Sequence, residues 1–380
     1  MRKINVLSLF DGVSCGRVAL QRAGIPVNKY YASEIDKYAI MITQNNFPDT
    51  VQLGDATKWE DWDIDWSSID LLIGGNPCVS WSVAGKQLGT EDPRGQLLFD
   101  YVNILHNIQK HNPNVKFLVE NVKMKQEFQD IFSDMLGVQP IEINSALVSA
   151  QNRKRLYWTN WEFGQPEDKH IMLKDIVHEY SKVDRDKILC LDANYYKGGN
   201  LKQYYEKYRR QLAFEWLNEY IVPFDKTLQI LDKEVERGKV GYFGKDSQAN
   251  RVYYIHDKAV TLCGSAGGGA AKMGQYLFGC LTPDRVNKRQ NGQRFNEGDK
   301  FYTLTAQDKH GVLVEGYIRK LTPVECERLQ TLEDGFTANG IDQKTGKVVP
   351  ISNTQRYKAL GNGWTVDVIA HILKSLDFGE

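Results

Sequence analysis

Ile4-Asn5-Val6-Leu7-Ser8-Leu9-Phe10-Asp11-Gly12-Val13-Ser14-Cys15-Gly16 is the stretch on which the fold turns. Ile4 to Leu9 is an apolar run that stops at the turn Asp11-Gly12, and Val18, Leu20 and Ala23 then follow at roughly helical spacing up to Gly24. A strand, a turn and a helix in that order form the opening unit of an α/β sheet.

The alternation continues outward from it. A second strand is predicted near Lys29 to Ser33, ending at Glu34, and a third leads to Gly54-Asp55. A fourth, Ile69 to Ile73, ends in Gly74-Gly75-Asn76-Pro77-Cys78; a helical segment, Leu97 to Ile108, precedes a fifth strand, Val115 to Val119, which ends at Glu120. Further strand-like segments are Ile141 to Val148 and Arg155 to Thr159. Strands alternating with helices predict a doubly wound, Rossmann-like parallel sheet, whose ligands bind at the carboxyl ends of the strands.

From about Phe163 the alternation fails. Tyr195 to Leu217 is aromatic and basic, and short β-branched segments broken by Gly and Asn follow. Two of them resemble each other: Arg251 leads to Lys258 and Thr261-Leu262, Arg294 to Lys300 and Thr303-Leu304, with the same spacing from Lys to Thr. They read either as two related hairpins of a smaller, mainly β domain or as a chance likeness. From Gly316 the α/β character returns: Thr322-Pro323-Val324-Glu325 opens a helix with Pro in its first turn, and Gly361-Asn362-Gly363 precedes the apolar helix Val366 to Leu376. The expected organisation is a discontinuous first domain, 1–162 plus 316–380, around a second domain, 163–315.

Composition narrows the function. The 380 residues are 42% hydrophobic and 25% charged, ordinary globular values that argue against a mainly disordered chain. No run of eighteen apolar residues suggests a membrane span, and the six cysteines form no C-x-x-C pair, so neither membrane nor metal is expected, and a reducing, cytoplasmic setting is. Net charge is zero, but acidic residues crowd Asp55 to Asp70 while basic clusters lie at Arg153-Lys154-Arg155, Tyr208-Arg209-Arg210 and Arg285 to Arg294. Such a polarised molecule is compatible with a nucleic-acid partner.

The loop after the first strand lacks G-x-G-x-x-G, so pyrophosphate binding is not supported and a nicotinamide oxidoreductase is disfavoured. Glu34, at the end of strand two, is placed to take the hydroxyls of a ribose, and Asp55, after strand three, to accept from an adenine amino group; the plainer reading is a turn glycine and two surface acids. Cys78, at the mouth of strand four, is a candidate nucleophile, though a Cys there is more often a small buried residue. Glu120, at the mouth of the neighbouring strand, supplies an acid–base partner, and Gln151-Asn152-Arg153-Lys154-Arg155 supplies cations.

The ordered set Phe10-Asp11-Gly12, Pro77-Cys78, Glu120-Asn121-Val122, Gln151-x-Arg153-x-Arg155 and Gly361-Asn362-Gly363 resembles the DNA cytosine-5 methyltransferase family, over about residues 1–162 and 316–380. The wording of the first part is similar to the catalytic domain of the animal de novo methyltransferases, and the chain is identified as a bacterial or phage member. The resemblance implies methyl transfer from S-adenosylmethionine to carbon 5 of cytosine in double-stranded DNA, with the base flipped out of the helix. It implies Cys78 as the nucleophile on carbon 6, a protonated Glu120 at ring nitrogen 3, a role that favours a raised pKa, and Arg155, helped by Arg153, at O2.

By the same matching, Phe10, Gly12, Glu34, Asp55, Pro77, Leu98, Asn362 and Val366 correspond to cofactor contacts. Ser80 to Gly95 corresponds to the family's mobile loop, with Ser80, Arg251 and Arg294 as DNA contacts. The family places its variable target-recognition domain at 163–315. The family often has Gln after the nucleophile, where this chain has Val79, which puts DNA contact by that neighbour in doubt. A restriction endonuclease of the same system is a candidate partner, without a tight complex. A transfer-RNA methyltransferase of the same family and an inactive nucleic-acid-binding relative are the alternatives; the long variable region favours DNA, and the presence of Cys78 and Glu120 disfavours the inactive relative.

Overall fold

β1 (Ile4–Leu9) lies inside a seven-stranded sheet and is apolar because both of its faces are covered. The structure, a computed structural model, describes residues 2–75, 96–179, 181–197, 204, 209–216, 228–235, 239–243, 251–253 and 316–378. The chain divides into two compact units, Met1–Ile176 with Asp186–Lys197 and Pro323–Glu380, and Val177–Arg185 with Gly198–Thr322. The expected boundary at 162/163 falls inside the first unit, and the expected return at 316 falls inside the second.

In the first unit β1 is followed by β2 (Val27–Ser33), β3 (Val51–Gln52), β4 (Leu71–Gly75), β5 (Lys116–Val122), β6 (Ile141–Asn144), β7 (Gln151–Asn152) and β8 (Lys154–Thr159). The central sheet has the order β3-β2-β1-β4-β5-β8-β6. β1 to β5 run parallel, so the chain reverses its winding between β1 and β4, which is where an open α/β sheet forms its ligand crevice. The sheet is mixed rather than wholly parallel. β8 pairs antiparallel with both β5 and β6, because the link from β6 to β8 is a short turn and not a crossover helix.

Two expected elements shift. Strand five runs past Val119 to Val122, which puts Glu120 within the strand. Ile141 to Val148 is not one strand: it ends at Asn144, whose side chain accepts from Ala146 N at 3.1 Å and caps a single 3-10 turn.

Alternation along the strands assigns the two faces. Leu7, Leu9, Leu72, Phe117 and Val119 pack with Tyr101 of α3 (Gln96–His111), Phe132 of α4 (Gln126–Leu136) and Trp158 in one fully buried cluster. The opposite face carries α1 (Cys15–Ala23), where Gly16 lies so close to Ile73 that a Cβ would stand 2.5 Å from its Cδ1. α2 (Lys37–Asn46) follows β2, with Asp36 capping its first turn. The chain ends with α5 (Pro323–Leu329), α6 (Asn353–Asn362) and α7 (Val366–Lys374), and α7 packs on α1. No helix among the described residues is long and apolar enough to cross a membrane.

In the second unit Ser181–Lys182, Leu212–Trp216 and Gly316–Lys320 form an antiparallel sheet. Leu228–Val235, Lys239–Phe243 and Arg251–Tyr253 form another, in which Arg251 pairs with Tyr242. Beyond Arg251–Tyr253, the two related segments, with Lys258, Thr261, Arg294, Lys300 and Thr303, lie outside the described residues.

Candidate active site

Two groups of side chains gather at the carboxyl ends of the parallel strands. The first is built on the loop after β1, where Phe10 (φ 56°), Gly12 (φ 59°) and Ser14 (φ 59°) all take left-handed backbone, a conformation that clusters at functional loops in non-glycine residues. Asp11 holds the loop, accepting from Ser14 Oγ at 2.5 Å and Tyr30 Oη at 2.7 Å. Its burial, with the nearby charge of Glu34, pushes the Asp11 carboxyl up to about 6 against the hydrogen bonds that oppose the shift. Cys15 is buried, which pushes its thiol up to about 12 and leaves it inert.

Glu34, at the end of β2, ties this loop to the sheet. Its Oε2 accepts from Gly12 N at 2.8 Å, and its Oε1 accepts from Ile35 N and Asp36 N, both at 2.7 Å. A carboxylate offers about four lone-pair positions, so Oε2 keeps one for a hydroxyl. Ile35 beside it is 74% exposed, an uncovered apolar side chain next to the acid. Asp55 accepts from Thr57 N at 3.0 Å and Thr57 Oγ1 at 2.9 Å, both through Oδ1, and among the described residues the buried Asp100 Oδ2 has no hydrogen-bond partner. Burial, then the charge of Asp55, raises the Asp100 carboxyl. An orphaned acceptor, two neighbouring acids and a bare aliphatic side chain fit a nucleoside with hydroxyl and amino donors, so these residues fit S-adenosylmethionine. Ile35 and Asp100 were not found from sequence; the signal for Ile35 was its place directly after the strand-end acid.

Other expected cofactor contacts divide. Gly12 has open space where a Cβ would stand, and Asn362 is exposed. Phe10 is partly buried against the core cluster. Leu98 and Val366 have no exposed surface, because each opens the buried stripe of its helix. The partly exposed group at the turn before α7 is instead the indole of Trp364, whose signal was an aromatic residue directly after a glycine turn. Pro77, Cys78 and Ser80 lie outside the described residues.

The second group surrounds Glu120. Pairing of β8 with β5 sets Tyr157 opposite Glu120 and Arg155 opposite Val122, so Arg155 is its diagonal neighbour on the same face. Arg155 Nε pairs with Glu120 Oε1 as an ion pair at 2.9 Å, with side chains only 14% and 10% exposed. Trp364 Nε1 donates to Glu120 Oε2 at 3.1 Å. The indole fits because Gly75, paired with Glu120 in the sheet, has no side chain: a Cβ there would stand 2.5 Å from Trp364 Nε1. Burial, then the Glu120 charge, pushes the Tyr157 hydroxyl well above its usual value, so it stays neutral.

The Gln-x-Arg-x-Arg residues serve three different purposes. Gln151 Nε2 donates to Leu329 O at 2.7 Å and Gln330 Oε1 at 2.9 Å. Arg153 is buried and donates to Leu191 O at 3.0 Å, Gly363 O at 2.9 Å and Cys190 Sγ at 3.1 Å. It therefore fastens the turn before α7, and only Arg155 is left facing Glu120. Cys190 is half-buried beside both arginines, with Arg155 Nη2 at 3.6 Å from its sulfur. Burial alone would raise the Cys190 thiol, but the charges of Arg153 and Arg155 outweigh it and bring it below its usual value. Nothing local in the sequence marked Cys190. The described residues contain no cluster of His, Cys, Asp and Glu able to hold a metal ion.

Comparison with known proteins gives the family. The family model of C-5 cytosine-specific DNA methylases matches residues 4–377. The orphan methyltransferase M.SPRI of Bacillus phage SPR is 29% identical, over 99% of this chain and 98% of its own length. The type II methyltransferase M.HhaI of Haemophilus parahaemolyticus is 25% identical, over 97% of this chain and 93% of its own. In fold, the Entamoeba histolytica methyltransferase EhMeth is similar with a TM-score of 0.53 at 15% identity, over 99% of this chain and 98% of that one.

Proposed function

The chain belongs to the family of C-5 cytosine-specific DNA methylases, and from that premise we propose that it works through Cys78 as nucleophile, Glu120 as acid and Arg155 as the cation that holds the pyrimidine. The reaction is transfer of a methyl group from S-adenosylmethionine to carbon 5 of cytosine in DNA. When bound, S-adenosylmethionine supplies the electrophilic methyl group. Glu34 and Asp55 hold its nucleoside, with Ile35 against it.

Carbon 5 is a weak nucleophile. The Cys78 thiolate adds to carbon 6, and Glu120 carries a proton to ring nitrogen 3, so that charge does not accumulate on the ring. Arg155, fixed through Nε on Glu120, presents a remaining N–H of its guanidinium to O2. After methylation, water as base takes the carbon 5 proton, the electrons of that C–H bond form the carbon 5–carbon 6 double bond as Cys78 leaves as thiolate, and ring nitrogen 3 returns its proton to Glu120. The observation that carries this reading is the buried Glu120–Arg155 pair at 2.9 Å, beside the strand that leads to Cys78. A duplex containing 5-fluorocytosine tests it, because fluorine cannot leave as a proton does. The wild-type chain should form a covalent adduct that Cys78→Ser does not, and a full-strength adduct in that variant overturns the assignment.

The substrate is duplex DNA, and the segment 163–315 reads its sequence, with Ser80, Arg251 and Arg294 as contacts; what supports this is the irregular, aromatic and basic character of the segment. Exchange of 163–315 for the same segment of a relative with another site should move methylation to that site, as read by bisulfite sequencing. The protein acts in the cytoplasm. A separate endonuclease of the same specificity is a candidate partner, in line with the type II methyltransferase M.HhaI, while M.SPRI is an orphan methyltransferase.

A further inference from the structure

The geometry points to Cys190 as a positioning residue of the methyl-transfer site: its sulfur takes Nη2 of the Arg155 guanidinium, so that this nitrogen is turned to the sulfur and not bonded to Glu120. The inference rests on the reading of Glu120 and Arg155 given above.

Every nitrogen of Arg155 has a defined partner. Nε lies 2.9 Å from Glu120 Oε1 in an ion pair, Nη2 donates to Cys190 Sγ at 3.6 Å and Nη1 to Lys154 O at 2.9 Å. Nε and Nη2 form one edge of the planar fork, the edge that arginine uses for bidentate carboxylate binding. Here that edge is split between an oxygen and a sulfur. The sulfur is itself fixed, because Arg153 donates to it at 3.1 Å and Arg153 is anchored on Leu191 O and Gly363 O. The Cys190 S–H in turn points at Leu191 O, at 3.5 Å.

Without the sulfur, Nη2 loses its acceptor, and Glu120, already paired with Nε on the same edge of the guanidinium, is at hand to replace it. The fork then closes on the carboxylate with two bonds, a tighter ion pair that favours the ionised acid. Glu120 has to deliver a proton, so turnover falls, and falls most at high pH. The charged and titratable groups around the pair are Arg153, the Cys190 thiol and Tyr157. Trp364, the remaining contact, does not titrate.

Cys190→Ala and Cys190→Ser are measured for single-turnover methylation of duplex DNA across pH, for S-adenosylmethionine affinity and for melting temperature. Glu120→Gln runs in parallel. Cys190→Ala should lose about tenfold in kcat, with cofactor affinity and KM for DNA unchanged, and the alkaline limb of its profile should move to lower pH. Cys190→Ser, which keeps an acceptor, should recover most of the rate and restore the limb. A Cys190→Ala profile identical to wild type overturns the inference, as does equal loss in both variants with lowered melting temperature. If Glu120→Gln turns over at the wild-type rate, the underlying site reading fails instead. If Glu120→Gln is inactive while Cys190→Ala is normal, only the role of Cys190 falls.

Discussion

Trp364 and Glu120 are joined by a hydrogen bond of 3.1 Å from the indole Nε1 to Oε2, across the gap that Gly75 leaves in the sheet. The bond ties the turn before α7 to the end of β5, two places 244 residues apart in sequence. It leaves Glu120 with a partner on each oxygen, the Trp364 indole on one and the Arg155 cation on the other.

Trp364→Phe keeps the ring and removes the donor. The donor fixes the direction of the Glu120 carboxyl, and a misplaced catalytic group loses up to about a hundredfold in rate, so turnover should fall roughly tenfold or more, while the fold and cofactor affinity change little. Single-turnover methylation of duplex DNA is the measurement, and a wild-type rate in the variant removes Trp364 from the site.

Glu34→Ala should weaken binding of S-adenosylmethionine by about tenfold to a hundredfold, the loss of a charge-assisted contact. DNA binding without cofactor should be unchanged. Calorimetry reads the first and a gel-shift titration the second; equal cofactor affinity in variant and wild type places the ribose elsewhere.

Asp11 makes the pH dependence run opposite to the usual carboxylate. Its folded-state value, about 6, lies above the ordinary 3.8. Between those values the folded chain binds more protons than the unfolded one, so this contribution to stability is full below about pH 4, declines as pH rises, and is gone above about pH 6. Asp11→Asn removes the titration. From pH 4 to pH 6.5, wild type should lose about 1–3 kcal/mol relative to the variant, as measured by chemical unfolding. A constant difference across that range refutes the raised value.

Gly361→Ala should destabilise the first unit. A Cβ at that position would stand 2.3 Å from Ala193 N and from the carbonyl carbon of Asp192, both backbone atoms with no rotamer to yield. Overpacking of this kind costs about 1–3 kcal/mol, a fall of roughly 2–12 °C in melting temperature. Gly137→Ala, at φ 69° with open space around it, controls for left-handed backbone strain alone. If Gly361→Ala melts no lower than that control, the close approach at 361 is not the reason for glycine.

The sequence by itself determined what is encoded within a few consecutive residues. The apolar run Ile4 to Leu9 could only be a buried strand, and Asp11-Gly12 only its exit turn. Glu34, Asp55 and Glu120 were legible because a polar residue directly after an apolar run in an α/β sheet arrives at the ligand edge. The family resemblance rested on the same local words. What passes between distant segments was decided by tertiary structure. Nothing near Arg153 and Arg155 says that one fastens the turn at Gly363 while the other pairs with Glu120; the antiparallel register of β8 on β5 assigns those parts. Val366 looked like a contact from its place after Gly361-Asn362-Gly363, yet helix α7 turns it into the core and leaves Trp364 at the surface. Cys190 had no signal at all, because its place beside two guanidiniums arises only when Arg153 and Arg155 meet a segment some 35 residues further along the chain.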